Sequence, residues 1–521
     1  MKELAFDELT TRQKLGMVFT PILNSWVKSE EDEEFVLDLI KNCSLGSVWI
    51  QQGARDDKEM LAKVKKIADY PILIMTDAES GMKPYLVGRH SAIGCTGSLE
   101  HAYAFGKVSG GIAHDMGYNM LCNPIVDIKP GLIRSLGGDK EKVAQMAVAI
   151  AKGMHDSGVM TIAKHYPGGS NPLDIDTHMT EGLCYETADE LKAESLYPYQ
   201  KMMEQDLLDG LMVGHKKYPN IDPNRPASLS KPVIDVIRNM GFNGFIITDA
   251  LCMFGIRANY SYEEAQAYAV AAGVDGLLPF VKENKARFEE LCSAYEKGMI
   301  PDDMLNAAVK RVLTAQHKAF TMSSRETTQQ EWDLFNRIDK DAVYEKVDEG
   351  VSKSISRDGS HFFALMINND AQYTKEGVID VDTFSSSWYS MEQIEGKIKE
   401  LFPNAKFRYI YEYPRQWQNN RILEESKDCD ELIFLTYSEP LSYCGPEAIT
   451  QRFMNLMRAM QHTGRISTVL HLGNPRVLEE APHIPRMIFG GLAKNSIDAC
   501  FEVLAGNYPA KGTLTCEVNL K

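Results

Sequence analysis

The chain has no apolar run of the roughly 18 residues that a membrane-spanning helix needs. Basic residues do not dominate it either. Lys plus Arg number 56 against 72 Asp plus Glu, a formal net charge of −16, and no basic stripe offsets that balance. This opposes a nucleic-acid or anionic-membrane partner. The ten cysteines are scattered and no two form a CxxC pair, which argues against a zinc site or a disulfide framework. Several sit in apolar runs and read as buried thiols of a reducing compartment. A GxGxxG turn and a P-loop are both missing, so nucleotide chemistry has no support. The N-terminal segment shows no basic stretch leading into an apolar one, so a cytoplasmic location is expected. No low-complexity tract or internal repeat stands out.

What is there is alternation. A chain of 521 residues exceeds one ordinary core, so two domains are expected. Short apolar runs recur: 45–50, 71–77, 119–128, 159–167, 208–215, 244–250 and 275–280. Segments with helical spacing lie between them, such as 139–158 and 231–241. Strand followed by helix, repeated about seven times, predicts a parallel sheet closed as a (β/α)8 TIM-type barrel over residues 1–322. An open doubly wound sheet is the competitor. Asp77, Asn123, Asp127, Lys164, His165, His215 and Asp249 all fall near the C-terminal ends of different runs. A barrel gathers those ends around one mouth, whereas an open sheet spreads them along an edge. Residues 323–345 read as a linker plus helix. Further strands at 361–369, 406–413, 431–438, 467–475, 486–491 and 513–520 predict a C-terminal α/β sandwich over 346–521.

The stretch AKHYPGGSNPLDIDTHMT, residues 163–180, concentrates groups that move protons or grip hydroxyls. Lys164 and His165 are adjacent, so on a strand they point to opposite sides, and both reach one ligand only where the strand ends. Pro167-Gly168-Gly169 signals that end. In an extended loop Asp176 and His178 lie on the same side. The carboxylate can then hold one imidazole nitrogen, fix the tautomer and stabilise the imidazolium, which makes His178 a competent acid. Asp249 follows the apolar strand GFIIT. It is either an N-cap for the next helix or a carboxylate aimed into the mouth. Together, Asp249 as nucleophile and His178 as acid/base are the pair that a retaining glycosidase requires. His215 reads equally well as a substrate neighbour or a structural histidine, Lys216-Lys217 as solvated surface, and His471 as core.

The order of motifs then resembles a known family. LTTRQKLGMVF (9–19), DAESGM (77–82), NPIVDI (123–128), IRSLGGD (133–139), AKHYPG (163–168), RPASLS (225–230), GFNGFIITDALCM (241–253) and AGNYPAKGTLTCEV (505–518) are similar to successive elements of glycoside hydrolase family 3. The Asp-x-His loop resembles its β-N-acetylglucosaminidase branch. The resemblance implies a retaining exo-acting β-N-acetylglucosaminidase that cleaves terminal β-linked N-acetylglucosamine through a covalent glycosyl-aspartate. It implies Asp249 as nucleophile, His178 as acid/base with Asp176 as its partner, and Asp77, Arg134, Lys164 and His165 as ligands of the terminal sugar. No metal or organic cofactor is implied, and the partner expected is a small carbohydrate. The second domain is expected to buttress the barrel or support a homodimer.

Two departures bear on specificity. Ser80-Gly81-Met82 stands where the family has Gly-Gly-Arg, and Tyr85 replaces a further arginine, leaving Arg89 as a substitute four residues on. Pro-Gly-Gly-Ser (167–170) replaces the usual Pro-Gly-His-Gly, and the loop from there to Asp176 is one residue longer. A histidine acid/base repels an incoming anion less than a glutamate does. Phosphate is therefore an alternative second nucleophile, giving a β-N-acetylglucosaminide phosphorylase. A retaining β-glycosidase of another sugar and a non-catalytic sugar-binding protein complete the alternatives.

Overall fold

The computed structural model describes all residues except 1, 24–28, 55, 130–133, 171–175, 368–390, 440–446, 516–517 and 520–521. Six parallel strands form the first sheet: β1 (Ser47–Trp49), β2 (Leu73–Asp77), β3 (Met120–Cys122), β4 (Met160–Tyr166), β5 (Gly210–Val213) and β6 (Phe245–Thr248). They lie side by side in chain order. Single parallel bridges join Ile22 to Trp49, Phe19 to Leu277 and Ile247 to Gly276. Residues 19–22 and 276–277 thereby connect β1 at one edge with β6 at the other, and the sheet curls. The run 275–280, expected as a strand, contributes only these bridges. The stretch 119–128 is a regular strand over three residues alone; beyond it Ile125 still makes a single parallel bridge to Lys164. All four residues of β6 are buried, as in a parallel sheet covered on both faces.

The helices follow from amphipathic spacing and caps. Helix α1 (Thr11–Met17) opens on a capping box between Thr10 and Gln13. Helices α2 (Leu99–Met116) and α3 (Lys140–His155) pack side by side. In α3 Asp139 caps Lys142 N–H, and Val143, Met146, Ala147, Ile150 and Met154 form the buried stripe. The two helices approach at glycines: a Cβ on Gly106 would lie 2.0 Å from the Ile150 carbonyl oxygen, and one on Gly153 would lie 2.3 Å from that of Tyr103. Helix α4 (Lys231–Asn239) covers the stretch 231–241, with Ser230 as its cap.

Helix α5 (Gln329–Asp341) occupies the expected linker region. After it comes a second sheet of β7 (Tyr344–Val347), β8 (His361–Ile367), β9 (Lys406–Tyr411), β10 (Glu431–Tyr437), β11 (Ile466–Leu472) and β12 (Arg486–Gly490). Its order is β7-β12-β11-β10-β8-β9, parallel except for antiparallel β7. β7 was not expected. Its four residues are only half-buried and alternate tyrosine, charge, charge and valine, a weak apolar signal. The expected strand at 513–520 is corrected: no described residue of it is in a strand, and 516, 517 and 520 lie outside the described residues. Its backbone bonds to the first half instead, Thr513 N–H to Cys95 O in the last turn of the helix Arg89–Thr96 and Gly138 N–H to Thr515 O. Two separate apolar clusters fill the molecule, one drawn from Leu15–Ala342 and the other from Val343–Leu504. Between them Asp339 Oδ1 accepts the Gly88 N–H at 2.7 Å. Among the described residues no helix is long and apolar enough to cross a membrane.

Candidate active site

The C-terminal ends of β2, β4 and β6 supply the first polar groups. Lys164, on β4, is buried, and its Nζ lies 2.5 Å from Asp77 Oδ1 and 2.7 Å from Glu79 Oε1. Glu79 in turn accepts two guanidinium N–H groups from Arg134, at 2.9 and 2.6 Å. Two carboxylates and two cations thus neutralise one another in a fixed array, with the bidentate arginine fork setting its plane. Burial by itself would lower the Lys164 pKa, but Asp77 and Glu79 outweigh it and hold the ammonium above its usual value. Burial would likewise raise Glu79, yet Arg134 and Lys164 hold it well below the usual carboxylate range. Glu79 is therefore a brace for the two cations, a choice that the sequence left open. Arg89 is within electrostatic reach of Glu79 and Arg134 on one side and of Glu439 and Glu447, from the second half of the chain, on the other.

His165 follows at the next position. The strand ends at Tyr166, directly before the Pro167-Gly168-Gly169 turn, as that signal suggested, and the β4–β5 register slips between Lys164 and Tyr166. His165 Nδ1 donates to Asp127 Oδ2 at 2.8 Å, which leaves its Nε2 4.0 Å from Asp249 Oδ2. Burial would raise Asp127, but the hydrogen bond and charge of His165 keep it low.

Asp249 follows β6 directly. Its backbone N–H donates to Val213 O at 2.9 Å, and its Oδ1 accepts the Ala250 N–H at 2.7 Å. It caps no helix, since the next one begins at Phe254. Burial alone would raise its pKa; His165, His215, the Ala250 N–H and Lys164 reverse this and hold it below the usual value. His215 is buried beneath it. Its Nε2 donates to Ala250 O at 3.0 Å, so Nδ1 is the acceptor for the Ser228 hydroxyl at 2.8 Å. Burial lowers the His215 pKa, against the opposing pull of Asp249. It is a structural support for the turn after β6.

Asp176 Oδ1 accepts both the His178 backbone N–H, at 2.9 Å, and His178 Nδ1–H, at 2.8 Å. One carboxylate oxygen thereby fixes the orientation of the ring and its tautomer. The pair is tied to the segment after Asp249: Phe254 N–H donates to His178 O at 3.0 Å. Gly255 lies so close that a Cβ there would stand 3.1 and 3.2 Å from the carbonyl oxygens of Thr180 and Thr177. The longer connection leading to Asp176 includes residues 171–175, which lie outside the described residues.

Every site residue expected from the sequence lies in these three linked groups. A match to the model for the glycosyl hydrolase family 3 N-terminal domain spans residues 11–315, more than half of the chain. The chain belongs to glycoside hydrolase family 3. The enzyme is 29% identical over 261 residues to a β-hexosaminidase of Tolumonas auensis, covering 46% of this chain and 77% of that one. It is 25% identical over 330 residues to a β-N-acetylglucosaminidase/β-glucosidase of Cellulomonas fimi, covering 59% and 57% of the two chains. Among solved structures it resembles a family 3 β-N-acetylglucosaminidase from Paenibacillus sp. str. FPU-7, with a TM-score of 0.80, 22% identity and coverage of 98% and 100%. It also resembles a β-glucoside phosphorylase, BglX, with a TM-score of 0.79, 21% identity and coverage of 98% and 95%. At these identities the structures speak to the fold, an α/β chain with a curled parallel sheet.

Sequence reasoning placed Asp127 only at a strand end and left Glu79 open between a sugar contact and a brace for the loop. It misread Lys216 as solvated surface: its Nζ donates to Gly168 O at 2.7 Å and Gly169 O at 2.9 Å. Adjacent lysines resemble surface charge in sequence, and only the fold brings carbonyls to this one. Among the described residues no group of three or more His, Cys, Asp or Glu side chains is arranged to hold a metal ion.

Proposed function

We propose that this glycoside hydrolase is a retaining, exo-acting β-N-acetylglucosaminidase that removes terminal β-linked N-acetylglucosamine. Asp249, kept anionic, attacks the anomeric carbon and forms a glycosyl ester. The His178 imidazolium, stabilised by Asp176, gives its Nε2 proton to the departing oxygen. The neutral ring then takes a proton from water as it attacks the ester. Asp77, Arg134, Lys164 and His165 grip the hydroxyls of the terminal sugar, and the Glu79 brace keeps the two cations in place. In this reading the curled sheet is a (β/α)8-type barrel within residues 1–322, and residues 346–521 form an α/β sandwich that buttresses it.

The observation that carries the reading is the Asp176–His178 pair, hydrogen-bonded to the very segment that follows Asp249. The names of the curated relatives support the sugar. The test is release of nitrophenol from nitrophenyl β-N-acetylglucosaminide by the wild type and by Asp249→Asn. The expected outcome is turnover by the wild type and a loss of at least about 10³-fold in the variant. An unaltered rate in Asp249→Asn would sink the assignment of the nucleophile. Added phosphate should leave free sugar as the product; sugar 1-phosphate would identify a phosphorylase instead.

A further inference from the structure

Both ends of the loop that carries Asp176 and His178 are held by one short segment. Before the loop, Lys216 Nζ donates to Gly168 O at 2.7 Å and Gly169 O at 2.9 Å, and the Tyr218 hydroxyl donates to Gly168 O at 2.7 Å. After the loop, Lys217 N–H donates to Gly182 O at 2.8 Å, and Cys184 N–H donates to Lys217 O at 2.9 Å. Lys217 Nζ also pairs with Glu181 Oε2 at 3.2 Å. Residues 216–218 follow the end of β5 after two intervening residues, so the described ends of the loop are clipped to the sheet that leads to Asp249.

The clip falls where the chain is least able to hold itself. Gly168 and Gly169 have φ of +81° and +77°, a conformation that glycine adopts freely and leaves as freely. A side chain at 169 would collide with Glu186 Oε2 at 2.4 Å and Cys184 Sγ at 2.7 Å, so the position cannot be stiffened by a larger residue. The turn must be fixed from outside. Three donor bonds converge on its two carbonyls, and two of them come from one ammonium. An ammonium-to-carbonyl bond is stronger than a neutral one. Burial, together with Lys129, pushes Lys216 down to about 8, against the opposing pull of Asp127, Cys184 and Glu186. The ammonium is thus costly to keep here, and no solvated role accounts for it.

We infer that Lys216, seconded by Tyr218, is a positioning residue for the acid/base loop: it locks the Gly168-Gly169 turn and so sets where His178 delivers its proton. This rests on the reading of His178 as the acid/base. The hydrogen bonds of Lys216 Nζ go to Gly168 O and Gly169 O and not to Asp249, so it acts through the loop.

The test is leaving-group dependence at matched folding. Glycosides with a poor leaving group need a proton from His178; dinitrophenyl glycosides depart without one. Lys216→Met is expected to lose about 10²-fold in kcat/KM on alkyl or methylumbelliferyl N-acetylglucosaminides and less than about 3-fold on the dinitrophenyl glycoside. Lys216→Arg, which restores donors, should recover part of the loss, and Tyr218→Phe should show a smaller loss of the same kind. Equal losses on both substrates would mean that Lys216 only supports the fold, and no loss on either would remove it from the reaction; each overturns the inference. His178→Ala is the control. If it shows no leaving-group dependence, the acid/base reading fails; if it does and Lys216→Met does not, only the present inference fails.

Discussion

Replacing Lys164 by methionine tests the electrostatics of the site most directly. Methionine keeps the length and apolar stem of lysine but deletes the charge between Asp77 and Glu79. The Lys164 side chain is 3% exposed and that of Glu79 16%, whereas Asp77 is 39% exposed and can turn to water. Breaking a buried ion pair by removing one partner costs about 3–5 kcal/mol. The exposure of Asp77 and the remaining Arg134 fork on Glu79 put the expected loss at the lower end, about 3 kcal/mol. An unfolding entropy of about 2.1 cal/mol/K per residue over roughly 300 residues turns this into a fall in Tm of about 5 °C. The proposed charged donor to the sugar goes as well, and on that proposal the change should cost about 10- to 150-fold in kcat/KM. Adding Glu79→Gln removes the carboxylate that was left under-neutralised. The double variant should therefore be less destabilised than the two single changes summed, by about 0.5–3 kcal/mol. Calorimetry on the four proteins, with kinetics on nitrophenyl N-acetylglucosaminide, gives every number. A Tm within about 1 °C of wild type in Lys164→Met, or strict additivity of the two changes, would refute the claim that this array is a coupled buried network.

Two further outcomes are expected. Burial pushes Asp339 up to about 6, from an ordinary 3.8. The folded state therefore holds this proton more tightly than the unfolded chain, and the associated stability is full below pH 3.8 and lost as pH rises through about 6. Asp339→Asn should match wild type near pH 4 and exceed it by up to about 3 kcal/mol above pH 7, in unfolding followed across pH; parallel pH curves would contradict this. Gly255→Ala pushes a methyl against the Thr177 and Thr180 carbonyls and should shift the His178 turn, lowering kcat/KM about 10-fold at nearly unchanged Tm. Wild-type kinetics in that variant would show that the turn has room to spare.

How much of this was legible in the sequence depends on how local each signal was. Buried parallel strands announce themselves as apolar runs, and the helices between them as 3.6-residue spacing with caps. The chain therefore gave its alternating order, the break near 322 and the strand-end carboxylates without any coordinates. The Asp176–His178 pair was legible for the same reason, since its hydrogen bond spans two residues. The half-buried strand at 344–347 was not, because its partner β12 lies far along the chain, with Val347 opposite Arg486, and the Arg486–Glu345 side-chain bond spans 141 residues. The final segment misled in the opposite sense: its alternation suits a strand, but its backbone found partners at a helix end and a loop of the first half. What the sequence alone determined was the family, the α/β class with its parallel strands, and the residues proposed to move protons. What only tertiary structure decided was pairing: Glu79 as a brace between Lys164 and Arg134, His165 turned by Asp127 toward Asp249, and Lys216 withdrawn from solvent to hold two glycine carbonyls. Charge identity is written in the chain. Which charge neutralises which depends on distances across strands that contribute their ends to one site, and those distances are fixed only when the sheet curls.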